Sequence, residues 1–253
     1  MTAGREEPRK EPREEPREEL EWERLADGVG RCRLPVWDCT AGLVVGADAA
    51  LMVDAGSSRA EGARLCTRAR ELSGGRVTLL ALTHPHFDHV FGAAEFTGAE
   101  VFAAAGAAAV FTGGREELRA DAVRHGLDAW AAREAADVLV RPGREVGDRL
   151  TLRLGGGREA LLVNAGPGHT AHDLAVVVPG EPPVVFCGDL VEESGEPHAG
   201  PDAVPSRWPA ALDQLLALGG EDALYVPGHG AVVDAAFVRA QRDALAARFG
   251  VSP

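Results

Sequence analysis

Apolar positions along the chain fall into short runs of four to seven residues, separated by glycine, proline and charge. Such runs predict strands over 30–36, 41–45, 49–53, 77–82, 100–103, 151–154, 160–164, 174–178, 184–187 and 223–226. A stretch that puts Ala, Leu and Cys on one side and Arg and Glu on the other predicts a helix over 58–72, and further helices are expected over 209–218 and 235–248. A short helix is expected over 90–95, and one or two helices over 115–136. Ser73-Gly74-Gly75 stops the first long helix, and Gly155-Gly156-Gly157 joins two strands. Residues 142–147 read as a turn. Strands lead in each half of the chain and helices follow. That order predicts an α/β protein with sheets stacked face to face and helices outside.

Residues 1–20 do not join this pattern. Arg-Glu-Glu-Pro-like tetrads place Pro8, Pro12 and Pro16 four residues apart, which forbids a continuous helix. The segment offers almost nothing apolar to bury, so a disordered, charged Arg/Glu/Pro tail is expected over 1–20 and an ordered domain over 21–253.

Composition narrows the partners. The chain has 253 residues, 45% of them hydrophobic, enough for one sizeable core. With 26 basic and 39 acidic residues the net charge is −13, which argues against nucleic-acid or anionic-membrane partners. No apolar run reaches transmembrane length and no apolar leader opens the chain, so a cytoplasmic location is expected. The four cysteines, Cys32, Cys39, Cys66 and Cys187, show no Cys-x-x-Cys spacing. Reduced, buried thiols are expected, with a Cys32–Cys39 bridge as the alternative.

The chemistry concentrates in Thr83-His84-Pro85-His86-Phe87-Asp88-His89. Four metal-competent side chains occupy six positions directly after the apolar run 77–82. Imidazole and carboxylate suit borderline divalent metals, and a strand end is a rigid platform for them. Three histidines and an aspartate beside a buried strand are expensive to desolvate unless something binds them. Three later strand ends repeat the arrangement, each with a glycine turn and one more candidate: His169, Asp189 and His229.

With Gly92, this run matches the Thr-His-x-His-x-Asp-His-x-x-Gly signature, and the chain resembles the metallo-β-lactamase-fold superfamily, of the glyoxalase II-like hydrolase kind. Asp54 matches the aspartate after that family's second strand, and His169, Asp189 and His229 match its later motifs in order. The resemblance spans about residues 24–240. It implies a four-layer αββα sandwich of two mixed β-sheets flanked by helices, with the site at one edge between the sheets. It implies two divalent metal ions: His84, His86 and His169 on the first, and Asp88, His89 and His229 on the second. Asp189 and a water or hydroxide would bridge them. Zinc is the expected metal, and iron and manganese also accept this ligand set. The hydroxide between two cations would be the nucleophile, with Asp88 orienting it or moving a proton. Asp54 would stand behind the metals, fixing a ligand histidine or the loop.

The implied activity is hydrolysis of a small ester, thioester or lactone. A bridging aspartate separates this pattern from true metallo-β-lactamases, which lack one there. Two departures from the glyoxalase II pattern stand out. The third histidine continues as Thr170-Ala171-His172-Asp173 instead of Thr-x-Gly, and no C-terminal helical domain with glutathione-gripping basic residues is evident. A helical insertion around 112–141 is expected to form a lid. The stretch 191–208, with His198 and Trp208, is placed to wall a substrate pocket, and His172 is a further candidate; for Trp208 a packing anchor is the stronger reading, and for His172 packing or a helix cap is an equal one. Two other readings remain open: a mononuclear iron oxidoreductase of the persulfide dioxygenase type, and a non-catalytic binding protein on the same fold. The expected partner is a small molecule. Nothing in the sequence bears on the oligomeric state.

Overall fold

The computed structural model describes residues 20–251. All but Leu20 of the expected tail lies outside them. Among the described residues twelve strands form two mixed sheets. The first holds β1 (Trp22–Ala26), β2 (Val29–Arg33), β3 (Thr40–Val45), β4 (Ala50–Val53), β5 (Val77–Ala81), β6 (Glu100–Ala104) and β7 (Arg144–Val146), in that order. It is antiparallel from β1 to β4 and parallel from β4 to β7. The second runs β8 (Arg149–Gly155), β9 (Arg158–Asn164), β10 (Leu174–Val178), β11 (Val184–Glu192) and β12 (Leu224–His229). Only its β11–β12 pair is parallel. Helices α1 (Arg59–Ser73), α2 (Phe87–Val90), α3 (Ala107–Gly113), α4 (Arg115–Arg124) and α5 (Ala129–Asp137) accompany the first sheet. Helices α6 (Trp208–Gly219) and α7 (Ala235–Phe249) accompany the second.

Strand alternation explains why there are four layers. Ala50 and Met52 of β4 point into one core, Leu51 and Val53 into another. On β10, Leu174, Val176 and Val178 face the space between the sheets, while Ala175 and Val177 face α6 and α7. Each sheet is thus apolar on both faces, and three separate cores result: helices on first sheet, sheet on sheet, second sheet on helices. Fully burying each Val, Leu or Phe in them stabilises by roughly 1.5–3 kcal/mol. The αββα sandwich that the resemblance implied is the observed architecture.

Several boundaries differ from the sequence reading. β1 and β7 went unread: β1 is a half-exposed edge strand rich in charge, and β7 has three residues where a turn was expected. The run of Ala107, Ala108 and Ala109 forms α3, which no periodicity announced. The expected lid over 112–141 is part of the outer layer instead. Leu118, Ala122, Ala132, Ala135 and Ala136 pack into the first core, so these helices are seated on the sheet. Only the end of α4 reaches toward the histidine run, where His125 stacks on Phe87 at 5.9 Å. All four cysteines are buried and unbridged, which removes the Cys32–Cys39 alternative. No described helix is long and apolar enough to cross a membrane.

The metal-signature loop is held by backbone contact. Ser58 caps α1 by accepting the Glu61 N–H, and Gly74 closes it in the left-handed conformation. On the helix surface Gly62 faces Gly92, and a Cβ on Gly62 would lie 2.5 Å from the Gly92 Cα. Replacing Gly62 with Ala should therefore force α1 away from the loop that carries His84 to His89. The expected cost is about 1–3 kcal/mol, seen as a lower urea midpoint with an unchanged m-value; an unchanged midpoint would show that this contact carries no load.

Candidate metal centre

Four chain segments converge at one edge of the sandwich. β4 ends at Val53 and β5 at Ala81, and the residues just beyond these parallel ends, Asp54 and Thr83, are hydrogen-bonded to each other. Asp54 Oδ1 accepts the Thr83 N–H at 2.7 Å. Its Oδ2 accepts the Thr83 hydroxyl at 2.8 Å and lies 2.9 Å from His89 Nδ1. To aim this carboxylate Asp54 adopts φ +59°, a left-handed conformation that aspartate tolerates better than most residues. Asp54 thus lies directly behind the His89 ring.

The second sheet delivers Asp189 by a device the sequence did not announce. β11 was expected to end at Cys187 and to present Asp189 from a loop. Instead the strand continues to Glu192 through a bulge, with Phe186 opposite Val226 and Gly188 opposite Pro227. Val184 and Phe186 face between the sheets while Val185 and Cys187 face the helices. Without the extra residue at Gly188, Asp189 would fall on the helix side. The bulge reverses the alternation and aims Asp189 at the site. Gly188 makes this possible with φ +54° and with room for Thr83, whose Cβ would lie 2.8 Å from an added Cβ. β12 likewise runs through Pro227 and Gly228 to His229. The Leu174 N–H donates to the Thr83 carbonyl at 2.7 Å and ties the two sheets together there.

The structure brings all seven expected metal-binding side chains together in two groups. His84, His86, His169 and Asp189 form one; Asp88, His89 and His229 form the other, joined by Cys39. Asp189 faces both. Its Oδ2 lies 3.5 Å from His84 Nε2 and 3.4 Å from the Nε2 atoms of His169 and His229, while Oδ1 lies 3.2 Å from His89 Nε2. Asp88 Oδ2 is 3.4 Å from His229 Nε2 and 3.7 Å from His89 Nε2. Most of these spacings are long for hydrogen bonds. They fit the edges of a tetrahedron around a small cation, where two atoms about 2.1 Å from one ion stand roughly 3.4 Å apart.

Each imidazole is oriented from behind. His89 Nδ1 meets Asp54, His169 Nδ1 meets the His198 carbonyl at 3.1 Å, and His229 Nδ1 meets the Trp37 carbonyl at 2.7 Å. His84 Nδ1 lies 3.0 Å from the Thr83 hydroxyl. These contacts put the Nδ1 proton outward and leave Nε2 lone pairs pointing inward. His86 is reversed: Nε2 meets Asp202 at 3.0 Å and Nδ1 faces inward, 3.0 Å from His169 Nε2. His84 Nε2, His89 Nε2 and Asp189 Oδ1 are buried without any hydrogen-bond partner. Three orphaned polar atoms at one point are what a cation would satisfy, so the donor set fits a metal.

Electrostatics agrees. Burial opposes charge on every group here, yet His229, His84, His89 and His169 together hold Asp189 well below the usual carboxylate range. Burial lowers His84 and takes His169 down to about 4. Burial also opposes charge on His89 and His229, but Asp189 and Asp88 overcome it and raise both well above the ordinary histidine value. His86 is raised too: burial is outweighed by Asp202. The metal-free cluster therefore stores protons where cations would sit.

The three candidate pocket residues each make a defined contact. His172 is half-buried, with Nδ1 2.9 Å from the Ala105 carbonyl. His198 contributes its carbonyl to His169. Trp208 is fully buried, donates Nε1–H to the Leu190 carbonyl and packs edge-on against His169 at 5.4 Å, so it supports a histidine from below. Asp173 accepts from the Thr170 N–H and hydroxyl and closes the His169 loop. Burial pushes its carboxyl up to about 7. Cys39 and Asp202 were not read as site residues. Cys39 had no motif to mark it, and Asp202 sits 116 residues from His86, a pairing only the fold reveals.

Two outcomes follow. Metal uptake by the metal-free chain at neutral pH should release protons, chiefly from His89 and His229, so apparent affinity rises with pH. A pH-stat titration with zinc that detects no acid release would contradict this proton assignment. Asp202→Ala frees His86 Nε2 and should weaken metal binding about 10- to 100-fold by competition with a chromophoric chelator, while the unfolding midpoint of the metal-free chain changes little.

Comparison with known proteins places this edge in a family. The metallo-beta-lactamase superfamily model matches residues 34–229. A hydroxyacylglutathione hydrolase of Nitrosococcus oceani is 30% identical over 166 residues, covering 66% of this chain and 53% of that protein. One from Cupriavidus metallidurans is 44% identical over 61 residues, 23% of each. The chain thus spans about half the length, or less, of the curated relatives it matches. Among solved structures, a metallo-beta-lactamase from Pontibacter korlensis superposes with TM-score 0.70 at 21% identity, covering 89% of this chain and 98% of that one. A Pseudomonas aeruginosa metallo-beta-lactamase in its mono-zinc form gives 0.69 at 18%, covering 92% and 97%. At these identities the structures speak for the fold. The family model, which matches most of the chain, shows that this protein belongs to the metallo-beta-lactamase superfamily.

Proposed function

We propose that this protein is a dinuclear metal-dependent hydrolase of a small ester, thioester or lactone. The observation that carries the reading is Asp189, one buried carboxylate with an oxygen toward each of two histidine groups. His84, His86 and His169 would hold the first cation and Asp88, His89 and His229 the second, with Asp189 shared. Two divalent cations, zinc by the donor chemistry, would supply Lewis acidity toward a carbonyl and lower the pKa of a water between them.

The chain's own residues do the rest. His89, His169 and His229 are locked in the tautomer that presents Nε2 by the acceptors behind them. Asp88 is held ionised: burial pushes its carboxyl up, and His89 and His229 more than reverse that. Such a weak base orients a nucleophile by accepting its hydrogen bond, and takes a proton only in passing. A carboxylate at position 189 distinguishes the site from true β-lactamases, so a chromogenic cephalosporin should be turned over slowly or not at all. The curated relatives are named for a glutathione thioester, which supports the thioester class. The partial coverage of their length leaves glutathione itself outside the proposal. A small-molecule substrate and a cytoplasmic setting complete the reading.

Elemental analysis paired with a panel of thioesters, lactones and phosphodiesters tests it. Two zinc-type ions per chain and hydrolysis of at least one acyl substrate are expected, with loss of activity on chelation. His86→Ala should cut turnover by on the order of 100-fold or more; full activity in that variant would overturn the metal-centre reading. One iron per chain without ester hydrolysis would replace the hydrolase by an iron oxidoreductase.

A further inference from the structure

Cys39 has no task in the hydrolase reading, yet it stands inside the metal centre. It directly precedes β3 and forms an isolated antiparallel bridge with His229 across the edge of the sandwich. Its side chain is 2% exposed. Sγ lies 3.3 Å from Asp88 Oδ2 and 3.5 Å from the Asp88 carbonyl. One ligand atom from each of Cys39, Asp88, His89 and His229 can be chosen so that all lie within 4.8 Å of one another. His89 Nε2, fully buried and without a hydrogen-bond partner, belongs to the same group.

We propose that Cys39 is a ligand of the second cation, which would then be held by one thiolate, one carboxylate and two imidazoles, with Asp189 shared. The inference rests on the two-cation reading of the site. Sulfur and oxygen bound to one ion at about 2.3 and 2.1 Å stand roughly 3.6 Å apart at the tetrahedral angle. The observed 3.3 Å needs only a few tenths of an ångström of movement. On binding, the cation takes the place of the thiol proton, which passes to solvent; no electrons are exchanged. The carboxylate and thiolate together balance the charge of a dication. The bland alternative is a thiol that donates S–H to Asp88 and never ligates.

The consequence is an asymmetric centre. The first group, His84, His86, His169 and Asp189, offers only nitrogen and oxygen, whereas the second adds sulfur. Soft ligands favour zinc, cobalt or cadmium over manganese or magnesium. Cys39 would therefore set the metal preference of one position and leave the other open to harder ions.

Cobalt titration of the metal-free chain reads this out directly. With two equivalents bound, the wild-type spectrum should carry a thiolate-to-cobalt charge-transfer band in the near ultraviolet beside the visible d–d bands. Cys39→Ser should lose the near-ultraviolet band and keep visible bands, and Cys32→Ser should keep both. Two bound cobalt ions without the charge-transfer band overturn the role of Cys39 and leave the two-cation reading standing. Retention of the band in Cys39→Ser also overturns it. If the wild-type chain binds no cobalt, the metal-centre reading falls and this inference with it. The wild-type spectrum decides the matter even where a variant fails to fold.

Discussion

Asp189 imposes the constraint on which the rest of the site depends. A carboxylate buried in the edge of a sandwich costs several kcal/mol of desolvation unless its charge and lone pairs are answered. Four imidazoles answer it, from three different parts of the chain, and one oxygen still lacks a hydrogen-bond partner. Every imidazole that faces it must offer a lone pair or a proton on the inner side. That requirement explains the outer contacts: Asp54, Thr83, Asp202 and two backbone carbonyls each fix one ring. A cluster so arranged is costly as a purely structural core, because His84 Nε2, His89 Nε2 and Asp189 Oδ1 are buried in it without a hydrogen-bond partner.

The sandwich solves the placement problem with a few local devices. Three apolar cores hold sheets and helices rigidly, so the strand ends at one edge become fixed points. Asp54 and Thr83 come from neighbouring parallel strands and are tied to each other. The bulge at Gly188 turns Asp189 inward, and close backbone approach between Gly62 and Gly92 seats the signature loop on α1. These devices set distances of a few ångströms between groups more than a hundred residues apart.

Much of the site was legible because its chemistry is locally dense. His84, His86, Asp88 and His89 lie within six positions, and no bland role accounts for that density. His169, Asp189 and His229 were legible only through the repeated strand, glycine, ligand arrangement and the family order. Even there the physical reason was misread at two positions: Asp189 and His229 lie within strands, and it is a bulge, not a loop, that presents Asp189. Trp208, for which packing is the stronger reading from sequence, is buried against His169. The residues 112–141 read as a lid because they are inserted between the first ligand run and His169. Their alanines and Leu118 are packed into the first core, which charge patterning on the exposed side conceals.

Taken alone, the sequence determined the element types, the apolar alternation that requires layers, and the identity of the metal-competent side chains. These follow from periodicity and residue chemistry, which are local. Tertiary structure decided which lone pair each imidazole presents, that Asp202 orients His86, and that Cys39 stands against Asp88. Those are properties of pairs distant along the chain. A hydrogen bond or a ligand edge depends on separations of a fraction of an ångström, and only the packed sheets fix separations that finely.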